Sequence, residues 1–460
     1  MMKMYSRSIG AWARLGTAGA LLLTACAPNQ DTPTPSTGFD TSRYVAVGDS
    51  YTAGLSNGGL TRASQEYSYP NLLAQQFSRA NANATFTQPY LEPGTGSGYL
   101  SLVDLPASGL PVVRRIAGQA VLRTVINPNA CGGPDTMRLL TRSATANTVP
   151  QNLGVPGLLL TQIETAGLGN ATNATPSGAF NPYFERLLPV TDSRTYLQTV
   201  STASASATFF TYFMGLDNLL PYLRSGGECG IVSAAVLNAN ARKILAVLAA
   251  NGRPGIIARL PALTNLPLLR LGRGLALQSR LQATFGDTAR VYINDNGFVQ
   301  AITNDDYVLA TVLPRLGLRT PVVVNGTTLQ LPYGRDSRNP VRDADVIDKT
   351  ELARINLAVN GHNTDLETVA TIYKMPIGLD NKRTLDANAA FPNFVGETIL
   401  VNGVTYSAEP VRGNFFSLDY YSLTPRGNAL LANAFIQAIN TAYRANIPAI
   451  EANKLPTSVQ

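Results

Sequence analysis

The chain has 460 residues, of which 45% are hydrophobic and 14% are charged. This composition is typical of a folded globular protein and excludes a largely disordered chain. The formal net charge is +7, and it falls by three, to +4, if Lys3, Arg7 and Arg14 are removed with a leader. Because no Lys/Arg run of the kind that follows phosphates is present, we expect no nucleic-acid partner.

The first 26 residues have the pattern of a secretion signal. Basic residues precede an apolar segment, Leu15 to Thr24, that is too short to span a bilayer. The segment ends in Leu23-Thr24-Ala25-Cys26, which resembles the lipobox of bacterial lipoproteins. The resemblance implies a signal peptide over 1–25 and lipidation of Cys26, whereas the alternative is a plain secretory peptide. Ala27 follows in place of the Asp that often retains lipoproteins at the inner membrane, which favours the outer membrane, facing the periplasm or the outside.

Residues 26–38 are rich in Pro, Thr, Asn, Gln and Ser, which predicts a flexible tether ahead of one large domain over 39–460. Two further cysteines, Cys131 and Cys229, are a disulfide candidate in an oxidising compartment, and two buried thiols are the alternative. The chain has one histidine and no Cys-x-x-Cys spacing, so we predict neither a metal site nor a cofactor.

Strand-like apolar runs alternate with helical patterns along the chain. The predicted strands are Tyr44–Val47, Thr208–Met214, Gly255–Leu260 and Val291–Ile293. The predicted helices are Tyr69–Arg79, Ala234–Asn251, Glu351–Met375 and about Asn428–Tyr443. This alternation predicts an α/β fold with a mostly parallel sheet.

Long stretches rich in Gly, Pro, Thr and Asn separate these elements. We expect them to be insertions on the substrate side of the sheet, at Gln88–Pro111, Asn127–Val149, Gly167–Phe180 and Thr303–Asp345. Within the last of them, the Asn325-Gly326 pair between apolar residues predicts a hairpin.

The most informative motif is Gly48-Asp49-Ser50-Tyr51-Thr52-Ala53-Gly54, directly after the first predicted strand. A serine at the carboxyl end of a strand in an open α/β sheet lies where such sheets bind ligands. Taken alone, Asp-Ser after a strand is also an ordinary helix N-cap signal. The other blocks of the chain therefore decide between these interpretations.

Three more blocks follow in order: Asn152-Leu153-Gly154-Val155-Pro156-Gly157, Gly215-Leu216-Asp217-Asn218 and Asp419-Tyr420-Tyr421-Ser422-Leu423-Thr424-Pro425. Together the four resemble the SGNH/GDSL hydrolase family, specifically its long bacterial lipoprotein members. The resemblance implies a three-layer α/β/α, flavodoxin-like fold and ester hydrolysis. It also implies that Ser50 is the nucleophile and that the backbone N–H groups of Ser50 and Gly157 stabilise the oxyanion.

Two catalytic positions depart from the family pattern. Ser422 stands where the family has a histidine, and Asp217 stands where it has an asparagine, with Asn218 one position later. A serine is a weak nucleophile without a base, and loss of the histidine in a comparable hydrolase costs about a millionfold in turnover. An ionised Asp217 would repel the oxyanion, unless Asn218 turns inward or burial keeps Asp217 neutral.

Two residues come into question as a substitute base. Asp419 is the polar group that we expect nearest to Ser50, although its low ordinary pKa makes it a weak base. His362 lies on an apolar helical stripe between Val359 and Leu366, so we interpret it as a core side chain, with a relocated base as the alternative.

Two functions from different classes follow. The first is an ester hydrolase on acylated lipids or glycans, with catalysis impaired, using Ser50, Asp419 and an unassigned group for proton transfer. The second is a non-catalytic relative that binds acylated lipids, glycans or a protein partner at the cell envelope. The non-catalytic interpretation depends on one expectation, that no partner able to deprotonate Ser50 touches its hydroxyl.

Overall fold

Five short parallel strands form the sheet that positions the candidate site. In this computed structural model the described residues are 39–459, except 95, 107–109, 129, 132–134, 144–147, 191, 287, 390 and 392–397. They fall within one compact unit, Thr34–Gln460. The predicted signal peptide, the lipidation site Cys26 and the tether lie outside the described residues.

The strands of the central sheet are β1 (Tyr44–Gly48), β2 (Asn152–Gly154), β3 (Phe209–Phe213), β4 (Gly255–Arg259) and β5 (Leu385–Asp386). Their spatial order is β5-β4-β3-β1-β2, and every neighbouring pair is parallel. The chain leaves β1 toward one edge to form β2 and then returns to the other side of β1 to form β3. The carboxyl end of β1 is therefore a point where the strand order reverses, the place where open α/β sheets bind ligands.

Three of the four predicted strands, those that became β1, β3 and β4, are confirmed with shifts of one residue. The prediction of the fourth strand, Val291–Ile293, as part of the parallel sheet is wrong. Tyr292–Asp295 instead forms an antiparallel hairpin with Phe298–Ala301. The reason is the Asn296-Gly297 turn, in which both residues have positive φ and reverse the chain at once.

Eleven α-helices lie in the part of the chain that the structure describes. They are α1 (Ser50–Ala53), α2 (Arg62–Glu66), α3 (Tyr69–Ala80), α4 (Pro182–Glu185), α5 (Tyr196–Ser204), α6 (Leu220–Arg224), α7 (Ala234–Leu248), α8 (Pro267–Arg270), α9 (Gly274–Phe285), α10 (Lys349–Ile372) and α11 (Pro425–Tyr443). The four predicted helices correspond to α3, α7, α10 and α11, with ends that differ by up to three residues. The mixed α/β class is thus confirmed.

Alternate residues of the strands pack into two separate hydrophobic clusters. Tyr44 and Ala46 of β1 join one cluster with residues of α3 and α11. Val45 and Val47 join the other with residues of α5, α7 and α10. Because successive side chains of a strand point to opposite faces, the sheet packs against apolar clusters on both faces, and β1 and β3 are buried along their whole length.

The segments outside the sheet form small antiparallel pairs. They are Tyr99–Asp104 with Val112–Ile116, Val121–Asn127 with Asp135–Leu140, Tyr307–Val308 with Val346–Ile347, Arg319–Val324 with Thr327–Pro332, and Ile399–Val401 with Val404–Tyr406. The predicted Asn325-Gly326 hairpin is confirmed, because both residues have positive φ between Val324 and Thr327. No helix within the described ranges is long and apolar enough to cross a membrane.

A disulfide joins Cys131 to Cys229, with the two Cα atoms 5.6 Å apart. Cys131 follows the strand Val121–Asn127, and Cys229 lies shortly before α7. The bond therefore ties an inserted hairpin to the segment that enters the helical layer, and it closes a loop of 98 residues in sequence. The alternative of two free thiols does not hold in this structure.

We expect the double variant Cys131→Ser/Cys229→Ser to lose about 2–4 kcal/mol of unfolding free energy, because a long closed loop restricts the unfolded chain. Urea denaturation of the oxidised parent and of the variant measures the difference. Adding a reductant should lower the unfolding free energy of the parent to that of the variant. The unfolding free energy of the variant should not change. Equal midpoints for the oxidised parent and the variant would contradict the prediction.

Candidate functional site

Three of the four sequence blocks lie at the carboxyl ends of neighbouring strands. Ser50 begins α1 directly after β1, Gly157 follows β2, and Asp217 follows β3. Asp49 makes no side-chain cap for α1, although it precedes that helix. Its Oδ2 instead accepts hydrogen bonds from the backbone N–H groups of Gly215 (2.9 Å) and Asp217 (3.3 Å). The Asp-Ser pair is therefore a link between β1 and the segment after β3, not an ordinary N-cap.

Two glycines allow this close arrangement. A Cβ at Gly48 would lie 2.0 Å from Thr52 Oγ1 and 2.2 Å from the carbonyl oxygen of Phe213, so no side chain fits there. Gly157 has φ of +70°, a left-handed conformation that favours glycine. This conformation turns the N–H of Gly157 toward the side chains of Ser50 and Asp217.

The carboxylate of Asp217 is the centre of the site. Its Oδ2 accepts hydrogen bonds from Ser50 Oγ (2.6 Å), the Gly157 N–H (2.8 Å) and the Ser50 N–H (3.1 Å). The two N–H groups that the resemblance assigns to an oxyanion thus donate to a carboxylate oxygen. The expectation that Ser50 has no partner able to accept its proton is wrong, because pairing of β1 with β3 brings the Asp217 carboxylate onto that hydroxyl.

Burial controls the proton affinity of this carboxylate. Asp217 is 4% exposed, and desolvation raises its pKa, although the hydrogen bonds from Ser50 and Gly157 and the charge of Arg224 oppose the rise. Burial also raises the pKa of Asp49, and the nearby charge of Asp217 adds to that effect. Asp217 Oδ1 is buried and has no hydrogen-bond partner among the described residues. The sequence left two ways for the oxyanion site to tolerate Asp217, an inward turn of Asn218 or a raised pKa of Asp217. The structure agrees with the raised pKa.

The other alternative, an inward turn of Asn218, does not occur. Asn218 Oδ1 accepts a hydrogen bond from the Leu160 N–H at 2.9 Å, and its Nδ2 is buried with no partner in the described part of the chain. The amide therefore braces the segment after Gly157 and makes no recorded contact with Ser50.

Asp419 and Ser422 form a closed hydrogen-bonded loop of their own. The Asp419 carboxylate accepts from the Gly58 N–H (2.7 Å), from Ser417 Oγ (3.0 Å) and from both the N–H (2.9 Å) and the Oγ (2.5 Å) of Ser422. Ser422 is fully buried. Asp419 lines the same cavity as Ser50 but forms no hydrogen bond with it, so the carboxylate that contacts the Ser50 hydroxyl is Asp217 and not Asp419.

His362 is a core side chain, as its position on the apolar stripe predicts. It is fully buried on α10, and its Nδ1 lies 2.9 Å from Asn238 Oδ1 on α7. Burial lowers the pKa of His362 to about 4, so the ring is neutral at physiological pH. The alternative of a relocated base finds no support, because the ring makes no recorded contact with Ser50.

A cavity of about 660 Å³ opens beside Ser50 and Asp217. Three of the four predicted insertions contribute to its walls, through residues such as Leu100, Met137 and Phe180. The fourth, Thr303–Asp345, contributes none of the residues that line this cavity. The cavity also has two guanidinium groups in its wall, those of Arg115 and Arg224, which sequence analysis missed.

Arg224 lies at the end of α6 and its guanidinium carbon is 4.7 Å from the centre of the Tyr421 ring. Contact with Tyr421 and the charges of Asp419 and Asp217 raise the pKa of Arg224, although desolvation acts against them. Arg224 thus supplies positive charge near both carboxylates. The only signal in the sequence was its place at the end of the helix that follows the Asp217 block.

Comparisons with protein-family models, curated proteins and solved structures found no match. Within the described ranges, no group of three or more His, Cys, Asp or Glu side chains is placed to hold a metal ion. The site itself offers a buried hydroxyl, a buried carboxylate and two converging N–H groups beside an open cavity.

We expect Asp217→Asn to make the stability of the protein less dependent on pH. The folded-state pKa of Asp217 is raised above the ordinary value of 3.8. The protonated carboxyl group therefore stabilises the folded chain fully below pH 3.8, and this stabilisation is lost as pH rises through the folded-state pKa. Relative to the variant, the parent should lose about 1.4 kcal/mol of unfolding free energy per pH unit between the two values.

Urea denaturation from about pH 4 to about pH 8 measures this difference. Asp336→Asn is a suitable control, because Arg338 lowers the pKa of Asp336 to about 2 and it stays ionised over the whole range. A constant difference between the parent and Asp217→Asn across the range would show that the pKa of Asp217 is not raised.

Proposed function

We propose that this chain is a serine ester hydrolase of the SGNH type in which Asp217 accepts the proton of Ser50 in place of the missing imidazole. The observation that carries the proposal is the 2.6 Å hydrogen bond from Ser50 Oγ to the buried Oδ2 of Asp217. A carboxyl group with a raised pKa is a better proton acceptor than an exposed one, because general bases work best when their pKa approaches the working pH.

The proposed fold is the three-layer, flavodoxin-like arrangement that the resemblance implies. It is supported by helices that pack against both faces of a parallel sheet. It is also supported by the fourth block, which lies beside the nucleophile, since the hydroxyl of Tyr51 donates to the carbonyl oxygen of Tyr421 at 2.6 Å.

In the proposed reaction, the proton of Ser50 Oγ passes to Asp217 while Oγ bonds to the carbonyl carbon of the ester. The negative charge moves to the carbonyl oxygen, which the N–H groups of Ser50 and Gly157 can stabilise. Neutral Asp217 then gives its proton to the departing alcohol as the ester bond breaks. Water releases the acyl group from Ser50 by the same steps in reverse, with Asp217 again accepting and returning a proton.

The same contact explains why we expect turnover to be slow. Asp217 Oδ2 now holds both N–H groups that the substrate's carbonyl oxygen requires. The carboxyl group must therefore release these donors when it takes the proton, a movement that an imidazole placed elsewhere does not require. We expect activity far below that of ordinary esterases, because removal of the histidine in a comparable enzyme costs about a millionfold.

A second candidate function is binding of an acyl ester without cleavage. The occupied donors favour it, because an ionised Asp217 that stays in place keeps the ester carbonyl away from the N–H groups. Whether or not the ester is cleaved, we propose acylated lipids or glycans as ligands. For the non-catalytic form, a protein partner at the cell envelope is a further proposed ligand. Export and outer-membrane anchoring through Cys26 belong to the same proposal and depend on the lipobox resemblance.

Hydrolysis of a short p-nitrophenyl ester separates the two candidates. We expect slow turnover in the parent that Ser50→Ala abolishes and that Asp217→Asn also abolishes, because the amide cannot accept a proton. The rate should fall as pH is lowered through the raised pKa of Asp217, since only the ionised form is a base.

Asp336→Asn, far from this chemistry in a surface pair with Arg338, should keep the parental rate. If Asp217→Asn is as fast as the parent or faster, Asp217 is not the base. If Ser50→Ala and the parent are equally slow, the non-catalytic function is correct.

The double variant Asp217→Asn/Ser422→His tests whether the fourth block faces the nucleophile as in the SGNH arrangement. Asp419 Oδ2 already contacts Ser422 Oγ and can accept from an imidazole at that position. We expect the double variant to exceed Asp217→Asn by about a hundredfold to ten-thousandfold in turnover, because a general base contributes roughly two to four orders of magnitude. Matching thermal midpoints control for folding, and a folded variant with no gain would contradict the SGNH arrangement.

A further inference from the structure

We propose that His362 is a positioning residue, whose ring supports the backbone turn at Gly215 that places Asp217 against the Ser50 hydroxyl. This inference deepens the proposed function and rests on it, because it takes Asp217 as the proton acceptor of Ser50. It gives a role in the site to a side chain that does not line the cavity.

The turn that carries Asp217 begins directly after β3. Gly215 has φ of +123°, a conformation that side chains rarely adopt, and its N–H donates to Asp49 Oδ2 at 2.9 Å. The same oxygen accepts from the Asp217 N–H at 3.3 Å, and Asp49 immediately precedes Ser50. The position of the Asp217 carboxyl group relative to Ser50 therefore depends on the path of the backbone at Gly215.

The ring of His362 lies directly against this turn. A Cβ placed on Gly215 would lie 3.3 Å from His362 Nε2 and 3.6 Å from its Cδ2. The ring thus occupies the side of Gly215 toward which a side chain would point. Because His362 is fully buried, close packing on its other sides keeps the ring in this place.

A hydrogen bond on the far side of the ring fixes its orientation. His362 Nδ1 lies 2.9 Å from Asn238 Oδ1, an atom that can only accept, so Nδ1 carries the proton. Asn238 is oriented in turn by its Nδ2, which donates to the carbonyl oxygen of Gly361 at 3.4 Å. The ring is neutral at physiological pH, because burial lowers its pKa to about 4. Nε2 therefore carries no proton and faces Gly215 as a bare nitrogen.

An imidazole fits this place in a way that an apolar ring does not. Nε2 is buried and has no hydrogen-bond partner in the part of the chain that the structure describes, which costs free energy that a phenyl ring would avoid. A bare ring nitrogen, however, can approach the backbone of Gly215 more closely than a ring C–H group can. The ring of His362 therefore places the turn in addition to filling the core.

Helix α10 is fixed to the sheet at the very next residue. Asn363 Oδ1 accepts from the Leu260 N–H at 2.7 Å, and Asn363 Nδ2 donates to the Leu260 carbonyl oxygen at 2.9 Å. Leu260 directly follows β4, the neighbour of β3 in the sheet. His362 and Asn363 together brace the carboxyl ends of β3 and β4, on the edge of the sheet where Asp217 meets Ser50.

Turnover of a short p-nitrophenyl ester is the first test. His362→Ala should lose about a hundredfold in kcat with little change in KM, because the reacting groups shift while the cavity wall stays in place. Leu366→Ala is the matched control, since Leu366 is fully buried one turn further along α10 and packs in the cluster that contains Val45 and Val47. It should keep the parental kcat when both variants are assayed well below their thermal midpoints.

The titration of Asp217 is the second test and needs no turnover. The difference in unfolding free energy between the parent and Asp217→Asn changes with pH between 3.8 and the folded-state pKa of Asp217. In the His362→Ala background this interval should be narrower by about one pH unit, because water that reaches the carboxyl group lessens the desolvation that raises its pKa. Each chain is compared with its own Asp217→Asn form, so the ionisation of His362, Asp49 and Arg224 contributes to both members of a pair.

Asn238→Ala is a milder variant that leaves the buried ring in the chain. Loss of the acceptor of Nδ1 should lower kcat about tenfold, because the ring is no longer held in one orientation. Asn240→Ala is its control, since Asn240 lies on the same helix and its Nδ2 donates to the carbonyl oxygen of Val236. The chain has one histidine, so the ¹⁵N signals of the imidazole identify its tautomer directly. Protonation at Nε2 in place of Nδ1 would overturn the proposal.

The outcomes separate the positioning role from the proposed function. A lower kcat and a narrower titration interval in His362→Ala, but not in Leu366→Ala, support the role. Equal effects of the two variants, or a lower kcat with an unchanged interval, overturn it and leave the proposed function intact where parental turnover depends on Asp217. If the parent shows no turnover, the proposed function fails and the titration decides alone, since a narrower interval supports the role and an unchanged one overturns it.

Discussion

The contact on which the site depends is the set of three hydrogen bonds that Asp217 Oδ2 accepts. Its donors are the hydroxyl and N–H of Ser50, after β1, and the N–H of Gly157, after β2, while Asp217 itself follows β3. One oxygen atom thus joins the ends of three neighbouring strands. The same atom decides whether Ser50 can lose its proton and whether a carbonyl oxygen can reach the two N–H groups.

Burial gives this contact two opposite effects. Removing the carboxyl group from water raises its pKa, which makes it a better proton acceptor than an exposed aspartate. Burial also makes the charged form of Asp217 costly, and its charge in turn raises the pKa of the neighbouring buried Asp49. Chemistry at Ser50 and stability of the fold are therefore coupled through one proton, and a change that favours one can weaken the other.

The charges of the cavity follow from which segments build it. The sheet and the segments after its strands supply the hydroxyl and Asp217, and the Asp419 loop adds a second carboxylate. Arg224 stands near both of these carboxylates. An inserted hairpin supplies Arg115, whose Nη1 donates to the carbonyl oxygen of Gly58. The Ser50 hydroxyl and much of the cavity wall beside it thus come from different parts of the chain, which is common where loops on a rigid sheet surround a site.

The sequence by itself determined the elements with strong local signals. Long apolar runs specified β1, β3 and β4, helical periodicity specified α3, α7, α10 and α11, and Asn325-Gly326 specified a hairpin turn. It also identified His362 as a core residue from its place on an apolar stripe. It missed β2 and β5, because strands of three and two residues are too short to show a periodic pattern.

Only the tertiary structure decided what touches Ser50. The identity of residue 217 was visible in the sequence, but its contact with the hydroxyl depends on the pairing of β1 with β3 across 167 positions. The union of Cys131 with Cys229 and the place of Arg115 in the cavity wall depend in the same way on where the inserted hairpins fold. Local patterns record the preference of a segment for helix, strand or turn, whereas contacts between distant segments arise from how the whole chain packs.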